Sequence, residues 1–176
     1  MRRSFAIVPV WVALCSAACG GDSPVQSDSG GQALVTIAGK AFGVSNVTLS
    51  FAFGEGAYFR IEGDDEAHPD EDCVSGLSGG LALYGEVPAD VKSLADLAGR
   101  ELPFEFTGDG DDANLCFVGS NGLLGVENGT VRFGALEGTK MPFSFAGQFV
   151  LYDGMGQSET PGIDSSGSGV AHAITN

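Results

Sequence analysis

Acidic side chains are concentrated in two short stretches of this sequence, and each stretch runs directly into a cysteine. The first, GDDEAHPDEDC, covers 63–73, and the second, GDGDDANLC, covers 108–116. Calcium in proteins takes about six to eight oxygen ligands in a flexible geometry, so clustered carboxylates could form a calcium site. The aspartates that would act as ligands are Asp70, Asp72, Asp109, Asp111 and Asp112. The alternative is that these acidic side chains are simply solvated and keep the protein from aggregating. We favour this alternative because an EF-hand loop needs ligands at alternate positions, and Ala113 follows Asp109 and Asp111 at the third of them.

Histidine, which most nucleophilic sites need as a base, occurs only twice, at His68 and His172. His68 lies in the first acidic stretch, and His172 lies near the end of the chain. Neither accompanies a GxSxG nucleophile motif, and the carboxylates fall in loops or on polar strand faces rather than in pairs on an apolar face. The sequence therefore predicts a protein that is not an enzyme.

The charge balance excludes some classes of partner. The formal net charge is −15, with 23 acidic residues against 8 basic ones, and two of those eight are Arg2 and Arg3. Such a surface repels the phosphates of nucleic acids, and it repels anionic lipid headgroups as well. With 43% hydrophobic residues and 12 Phe, the chain nevertheless has enough apolar material for a packed core.

The N-terminal segment has the pattern of an export signal. Two arginines precede an apolar run at 5–14, and the small residues of SAAC follow at 16–19. The apolar run is too short to cross about 30 Å of hydrocarbon as a helix. The segment resembles a bacterial lipoprotein signal peptide, which implies removal of residues 1–18 and lipidation of Cys19. The alternative is an ordinary secretory signal cut just before Cys19, which would leave that cysteine as a thiol.

The resemblance also implies where the protein resides and how it is held there. Residues 19–32 are rich in Gly, Ser and Asp and are predicted to be a flexible tether. The lipid on Cys19 would attach the chain to a membrane of the bacterial cell envelope. Gly20, rather than an acidic residue, follows that cysteine, and this favours the outer membrane over the inner one.

The lipoprotein assignment leaves two cysteines in the folded part of the chain. Cys15 would leave with the signal peptide and Cys19 would carry lipid, so Cys73 and Cys116 remain. In an oxidising compartment an even number of cysteines predicts a disulfide, which would bring both acidic stretches to one end of the domain. Two buried free thiols are the alternative, and zinc is disfavoured because neither cysteine belongs to a CxxC pair.

Residues 33–176 read as a single β domain of about nine or ten short strands. The inward faces predicted from the alternation of side chains are Val47, Leu49, Phe51 and Phe53; Ala57, Phe59 and Ile61; Leu81, Leu83 and Gly85; Leu102, Phe104 and Phe106; Phe143, Phe145, Phe149 and Leu151. Gly147 shares the last of these faces, which predicts a bulge or a close approach there. The Asn-Gly pairs at 121–122 and 128–129 predict hairpin turns.

The pattern predicts an all-β fold. We favour an antiparallel β-sandwich because the strands vary in length and glycine is spread through them, and a closed β-barrel is the alternative. One short helix is expected over SLADLAG, with Ser93 as N-cap, Asp96 in a capping box and Gly99 at the end.

Three functions remain open at this point. The leading hypothesis is a lipid-anchored envelope protein with a non-enzymatic binding or structural role. The acidic stretches favour a calcium-dependent adhesion or binding module. The phenylalanine-rich strand faces would also allow a barrel that carries a small apolar ligand.

Overall fold

The structure is a computed structural model and describes residues 30–52, 57–74, 77–104, 113–120, 122–152 and 159–174. Within these residues one 3₁₀ helix, Leu94–Leu97, accompanies the strands. No helix in the described part of the chain is long and apolar enough to cross a membrane. The strands are β1 (Gly31–Ile37), β2 (Lys40–Ala52), β3 (Tyr58–Asp65), β4 (Asp72–Val74), β5 (Leu77–Ser78), β6 (Gly80–Glu86), β7 (Glu101–Pro103), β8 (Asn114–Cys116), β9 (Leu123–Phe133), β10 (Lys140–Tyr152) and β11 (Glu159–Ile174).

Eight of these described strands close into a barrel. Their order around the ring is β10, β11, β1, β2, β3, β6, β8 and β9, and β9 pairs back with β10. All neighbours in the ring are antiparallel, and β11 also makes a short parallel contact with β2, from His172 opposite Thr48 to Ile174 opposite Ser50. An eight-stranded barrel has an interior just wide enough to be filled by side chains or to hold one small ligand.

The all-β prediction is confirmed, and the closed barrel given as the alternative is the architecture seen, in place of the favoured sandwich. The physical reason is the pairing of β1 with β11, which are the first and last of the described strands. With β9, β10 and β11 joined to one another along the chain, this pairing closes the ring. Closure depends on strands that are distant in sequence, whereas alternation along one strand reports only its buried face.

The barrel interior is filled by the side chains that alternation placed inward. Among the predicted inward residues, Phe53 and Phe106 lie outside the described residues, Ala57 and Leu151 are half-buried, and the others are buried. Five phenylalanines are almost completely enclosed: Phe59, Phe104, Phe117, Phe133 and Phe149. Aromatic rings in this core pack edge-to-face or tilted. In the edge-to-face pair of Phe59 and Phe133 the ring centroids are 5.3 Å apart and the ring planes make an angle of 83°.

Glycines on the inner wall make room for these rings. Phe104 lies over Gly129 of β9 and Gly147 of β10, and a Cβ added to Gly147 would fall 2.9 Å from the ring. The close approach predicted at Gly147 is therefore confirmed. Phe59 over Gly85 and Phe145 over Gly167 repeat this arrangement, in which a large ring occupies the space that a missing side chain leaves.

The predicted turn at Asn128–Gly129 is wrong. Both residues lie inside β9, and the pairing register shifts between Gln148 and Phe149 of β10, where β9 has an extra residue. The Asn-Gly pair therefore marks a β-bulge. Glycine is required at 129 by the ring of Phe104 rather than by a turn. The other predicted turn, at 121–122, includes Asn121, which lies outside the described residues.

The position in the barrel between β6 and β9 is occupied by two short strands in succession. β8 pairs with β9 from Leu123 to Gly125, and β7 pairs with the same strand from Thr130 to Arg132. Residues 105–112, which include most of the second acidic stretch, separate these strands in sequence and lie outside the described residues.

The predicted helix is a 3₁₀ helix of four residues. Asp96 Oδ2 accepts from Lys92 N at 2.9 Å and from Ser93 Oγ at 3.0 Å, and these two bonds lower the pKa of this carboxyl below its ordinary value of 3.8. Ser93 occupies the predicted N-cap, but its side chain bonds to Asp96 rather than to a backbone N–H of the helix. Arg100, bonded to Asp90 at 2.7 Å, lowers the pKa of that aspartate as well.

Candidate functional site

One end of the barrel gathers the features that bear on function, and we call it the disulfide end. The β1–β2 turn, the β3–β6 connection (66–79) and the β8–β9 connection (117–122) all lie there, as the strand pairings require. Cys73 and Cys116 form a disulfide, with Cα atoms 5.7 Å apart. The predicted disulfide is therefore confirmed, and it joins the β3–β6 connection to β8.

Asp65, the last residue of β3, is buried at this end with only 2% of its surface exposed. No other charged side chain is buried in the described part of the chain. Its Oδ1 accepts from Ala67 N at 3.0 Å, and its Oδ2 accepts from Val118 N at 3.1 Å. A buried carboxylate is stable only when its oxygens are bonded in this way, so Asp65 fixes two connections of the barrel to each other.

His68 completes this cluster from the side that faces solvent. Its Nδ1 lies 3.4 Å from Asp65 Oδ2, and its side chain is about a third exposed. The other histidine, His172, stands opposite Lys140 on β10 and lines a concavity of about 460 Å³ that also includes Gly30, where β1 enters the wall. The two histidines therefore belong to different parts of the barrel.

An apolar concavity of about 230 Å³ opens at the disulfide end. Its walls come from the β1–β2 turn, from the β8–β9 connection and from the facing ends of β9, β10 and β11. The lining residues are Ile37, Ala38, Lys40, Phe42, Gly119, Ser120, Leu124, Leu151 and Ile163. Aliphatic and aromatic side chains dominate this lining, as they do in small-molecule sites.

Lys40 stands at the rim of this concavity. Its Nζ donates to Gly119 O at 3.1 Å and lies 4.8 Å above the centroid of the Phe42 ring. That ring in turn stacks on Phe117, with centroids 4.8 Å apart. The ammonium group is thus held at the opening by a hydrogen bond and a cation–π contact.

The predicted metal ligands are brought together only in part. Asp70 and Asp72 lie at the disulfide end and are exposed, whereas Asp109, Asp111 and Asp112 lie outside the described residues. No three His, Cys, Asp or Glu side chains of the described ranges are arranged to hold a metal ion. The calcium site stays a prediction. Cys19, the predicted lipidation residue, also lies outside the described residues, and its lipidation stays a prediction.

Sequence reasoning missed Asp65 and Lys40. The signal for Asp65 was present, because the alternation that places Phe59 and Ile61 inward also places residue 65 inward once the strand is extended past Gly63. Lys40 carries no comparable signal. Its role depends on the distant Gly119 and on how the β1–β2 turn meets the β8–β9 connection.

Comparison with known proteins found no match for this chain. No protein-family model matches the chain, and no curated protein or solved structure matches it at a significant level. A functional conclusion therefore rests on the sequence and the geometry of this chain.

Proposed function

We propose that this protein is a lipid-anchored, non-enzymatic binding protein of the bacterial cell envelope, attached to the outer membrane, and that its barrel binds a small apolar ligand at the disulfide end. The closed β-barrel fold is consistent with ligand binding. The observation that carries the ligand-binding part is the apolar concavity at the disulfide end.

The packing of the barrel supports a ligand site at the disulfide end rather than deep inside. The interior is occupied by the rings of Phe59, Phe104, Phe133 and Phe149. Protein interiors packed in this way leave few voids larger than a water molecule. A ligand would therefore meet the barrel where the wall residues Leu151 and Ile163 are still partly exposed.

The direction of β1 supports an orientation relative to the anchor. β1 starts at Gly31, beside Val47 of β2, and runs toward the disulfide end, which it reaches at Ile37. The tether that precedes it therefore joins the barrel wall away from the disulfide end. With lipid on Cys19, the tether would enter the barrel away from the concavity and would leave its opening unobstructed.

The anchor gives a direct prediction. Replacing Cys19 with serine should move the protein from the membrane fraction to the soluble fraction, because a serine cannot accept the lipid. One acyl chain binds a membrane only marginally, so stable attachment needs more than one. The resemblance of the N-terminal segment to lipoprotein signal peptides implies that Cys19 carries several acyl chains. Cys15→Ser is the matched control, since that residue would be removed with the signal peptide and its replacement should leave the anchor intact.

Fractionation and intact mass together decide the anchor. The wild type should show the mass of a chain that begins at residue 19 and carries acyl groups. If Cys19→Ser stays in the membrane fraction, or if the wild-type mass lacks acyl groups, the lipid-anchor proposal is wrong. Separation of inner and outer membranes tests the proposed location.

The ligand site is tested with octanol, a small apolar probe. We expect octanol to shift the nuclear magnetic resonance signals of backbone amides around the concavity, with a Kd on the order of 1 mM. Ile163→Trp should fill the concavity and abolish these shifts. Leu34→Trp is the matched control, because Leu34 is 56% exposed on the outer wall. Shifts that are scattered over the barrel, or that survive Ile163→Trp, would contradict a site at the disulfide end.

A further inference from the structure

The concavity at the disulfide end combines an apolar lining with one positive charge, that of Lys40. Lys40 is the only charged side chain among the described residues that line it. The rest of the lining is aliphatic, aromatic or small, with Ser120 as a further polar residue. Ser120 Oγ already donates within its own turn, 2.7 Å from Phe117 O and 2.9 Å from Gly122 O. A polar ligand group that enters here would therefore meet the ammonium group of Lys40.

The ammonium group of Lys40 is not matched by a carboxylate in the described part of the chain. The ion pairs seen there are Arg60–Glu62, Arg100–Asp90 and His68–Asp65. Lys40 instead donates to a backbone carbonyl, that of Gly119. An ammonium group has three N–H donors, and a neutral carbonyl satisfies one of them without neutralising the charge.

This arrangement is unusual for a chain with a net charge of −15. Six lysines and arginines follow the predicted lipidation site, and among them Lys40 lines the apolar concavity at the disulfide end. The Phe42 ring beneath its Nζ and the Gly119 carbonyl restrict where the side chain can go. Less conformational entropy is then lost when a charged ligand binds to it.

We propose that the ligand is a small apolar acid, with its hydrocarbon part in the concavity and its anionic headgroup on Lys40. This inference rests on the proposed function and names the chemical class of its ligand. Charge-assisted hydrogen bonds from an ammonium to a carboxylate are stronger than neutral ones, so the headgroup would orient the ligand. The volume of about 230 Å³ lies below the range typical of drug-sized ligands, which limits the hydrocarbon part to a short chain.

Octanoate and octanol separate the contribution of the charge from that of the hydrocarbon chain. In Lys40→Gln we expect the affinity for octanoate to fall about fivefold, a typical effect for a partly solvated ion pair, and the affinity for octanol to stay within about twofold. Lys92→Gln is the matched control, because Lys92 is exposed and does not line the concavity. It should leave both affinities unchanged. Measurements at about 0.15 M salt screen the long-range field of the acidic protein.

Each outcome of this experiment has one meaning. An octanoate affinity that does not change in Lys40→Gln, or that falls equally in Lys92→Gln, overturns the acidic-ligand inference. If octanol still binds at the concavity in that case, the proposed function stands without it. If neither probe shifts the amide signals around the concavity, both proposals fail. A thermal melting curve for each variant separates loss of binding from loss of folding.

Discussion

Loss of the Cys73–Cys116 disulfide is expected to lower the free energy of unfolding by about 4 kcal/mol. The two cysteines are 43 residues apart in sequence, so the bond removes a large part of the freedom of the unfolded chain. It also joins the β3–β6 connection to β8, two segments that meet where β6 pairs with β8. At about 3 °C for each kcal/mol, the melting temperature should fall by roughly 12 °C.

The comparison is made between the oxidised wild type and the double variant Cys73→Ser/Cys116→Ser. Denaturant unfolding gives the free energy, and intact mass after alkylation establishes that the wild type carries no free thiol at these two positions. Reductant is also added to the double variant, which lacks this disulfide, to measure any effect of the reductant on the stability of the rest of the chain. Equal unfolding midpoints for the oxidised wild type and the double variant would contradict a stabilising role for this bond.

The sequence predicted the buried faces of the strands well, because alternation records a local property. Leu49, Phe59 and Leu83 each lie inward as expected, and each is fully buried. The closure of the sheet was harder to predict, since it depends on the pairing of β1 with β11, two strands more than 120 residues apart in sequence at Gln32 and Val170. The Asn128–Gly129 pair misled for the same reason, because the ring that requires a glycine there belongs to the distant Phe104.

The candidate site was predicted less completely than the fold. The number of acidic residues drew attention to exposed carboxylates such as Asp70 and Asp72, whereas the buried carboxylate is that of Asp65. Composition counts charges without regard to burial, and a single buried charge has more effect on stability than many solvated ones. The disulfide was predictable once Cys73 and Cys116 were taken as the two cysteines of the folded part of the chain. The concavity was not predictable, because its wall residues come from four separate segments.

Replacement of Asp65 is the second change from which we expect a large effect. Asp65→Ala would leave the partly buried N–H groups of Ala67 and Val118 without their acceptor. Each such loss costs about 1–3 kcal/mol, so the free energy of unfolding should fall by about 3–5 kcal/mol. The neighbouring Asp64 is exposed, and Asp64→Ala should change the free energy of unfolding by less than about 1 kcal/mol.

Two further variants separate the hydrogen bonds of Asp65 from its charge. Asp65→Asn keeps the size of the side chain but offers one carbonyl oxygen to two N–H donors, so we expect an intermediate loss of about 1–3 kcal/mol. His68→Gln should cost less than about 1 kcal/mol, because His68 is partly exposed and 3.4 Å from the carboxylate. A larger loss for His68→Gln than for Asp65→Asn would mean that the ion pair, and not the backbone bonds, holds the two connections together.

The Asp65 cluster and the disulfide join the same two parts of the barrel, so their effects should not be independent. Val118 lies two residues after Cys116, and Ala67 precedes Cys73 in the same connection. Without the disulfide, the β3–β6 connection can detach, and water can then reach the N–H groups that Asp65→Ala leaves without an acceptor. We therefore expect Asp65→Ala to cost about 1 kcal/mol less in the Cys73→Ser/Cys116→Ser background than in the wild type. Strictly additive losses would instead indicate that the disulfide acts only on the unfolded chain, as the chain-entropy account of disulfides assumes.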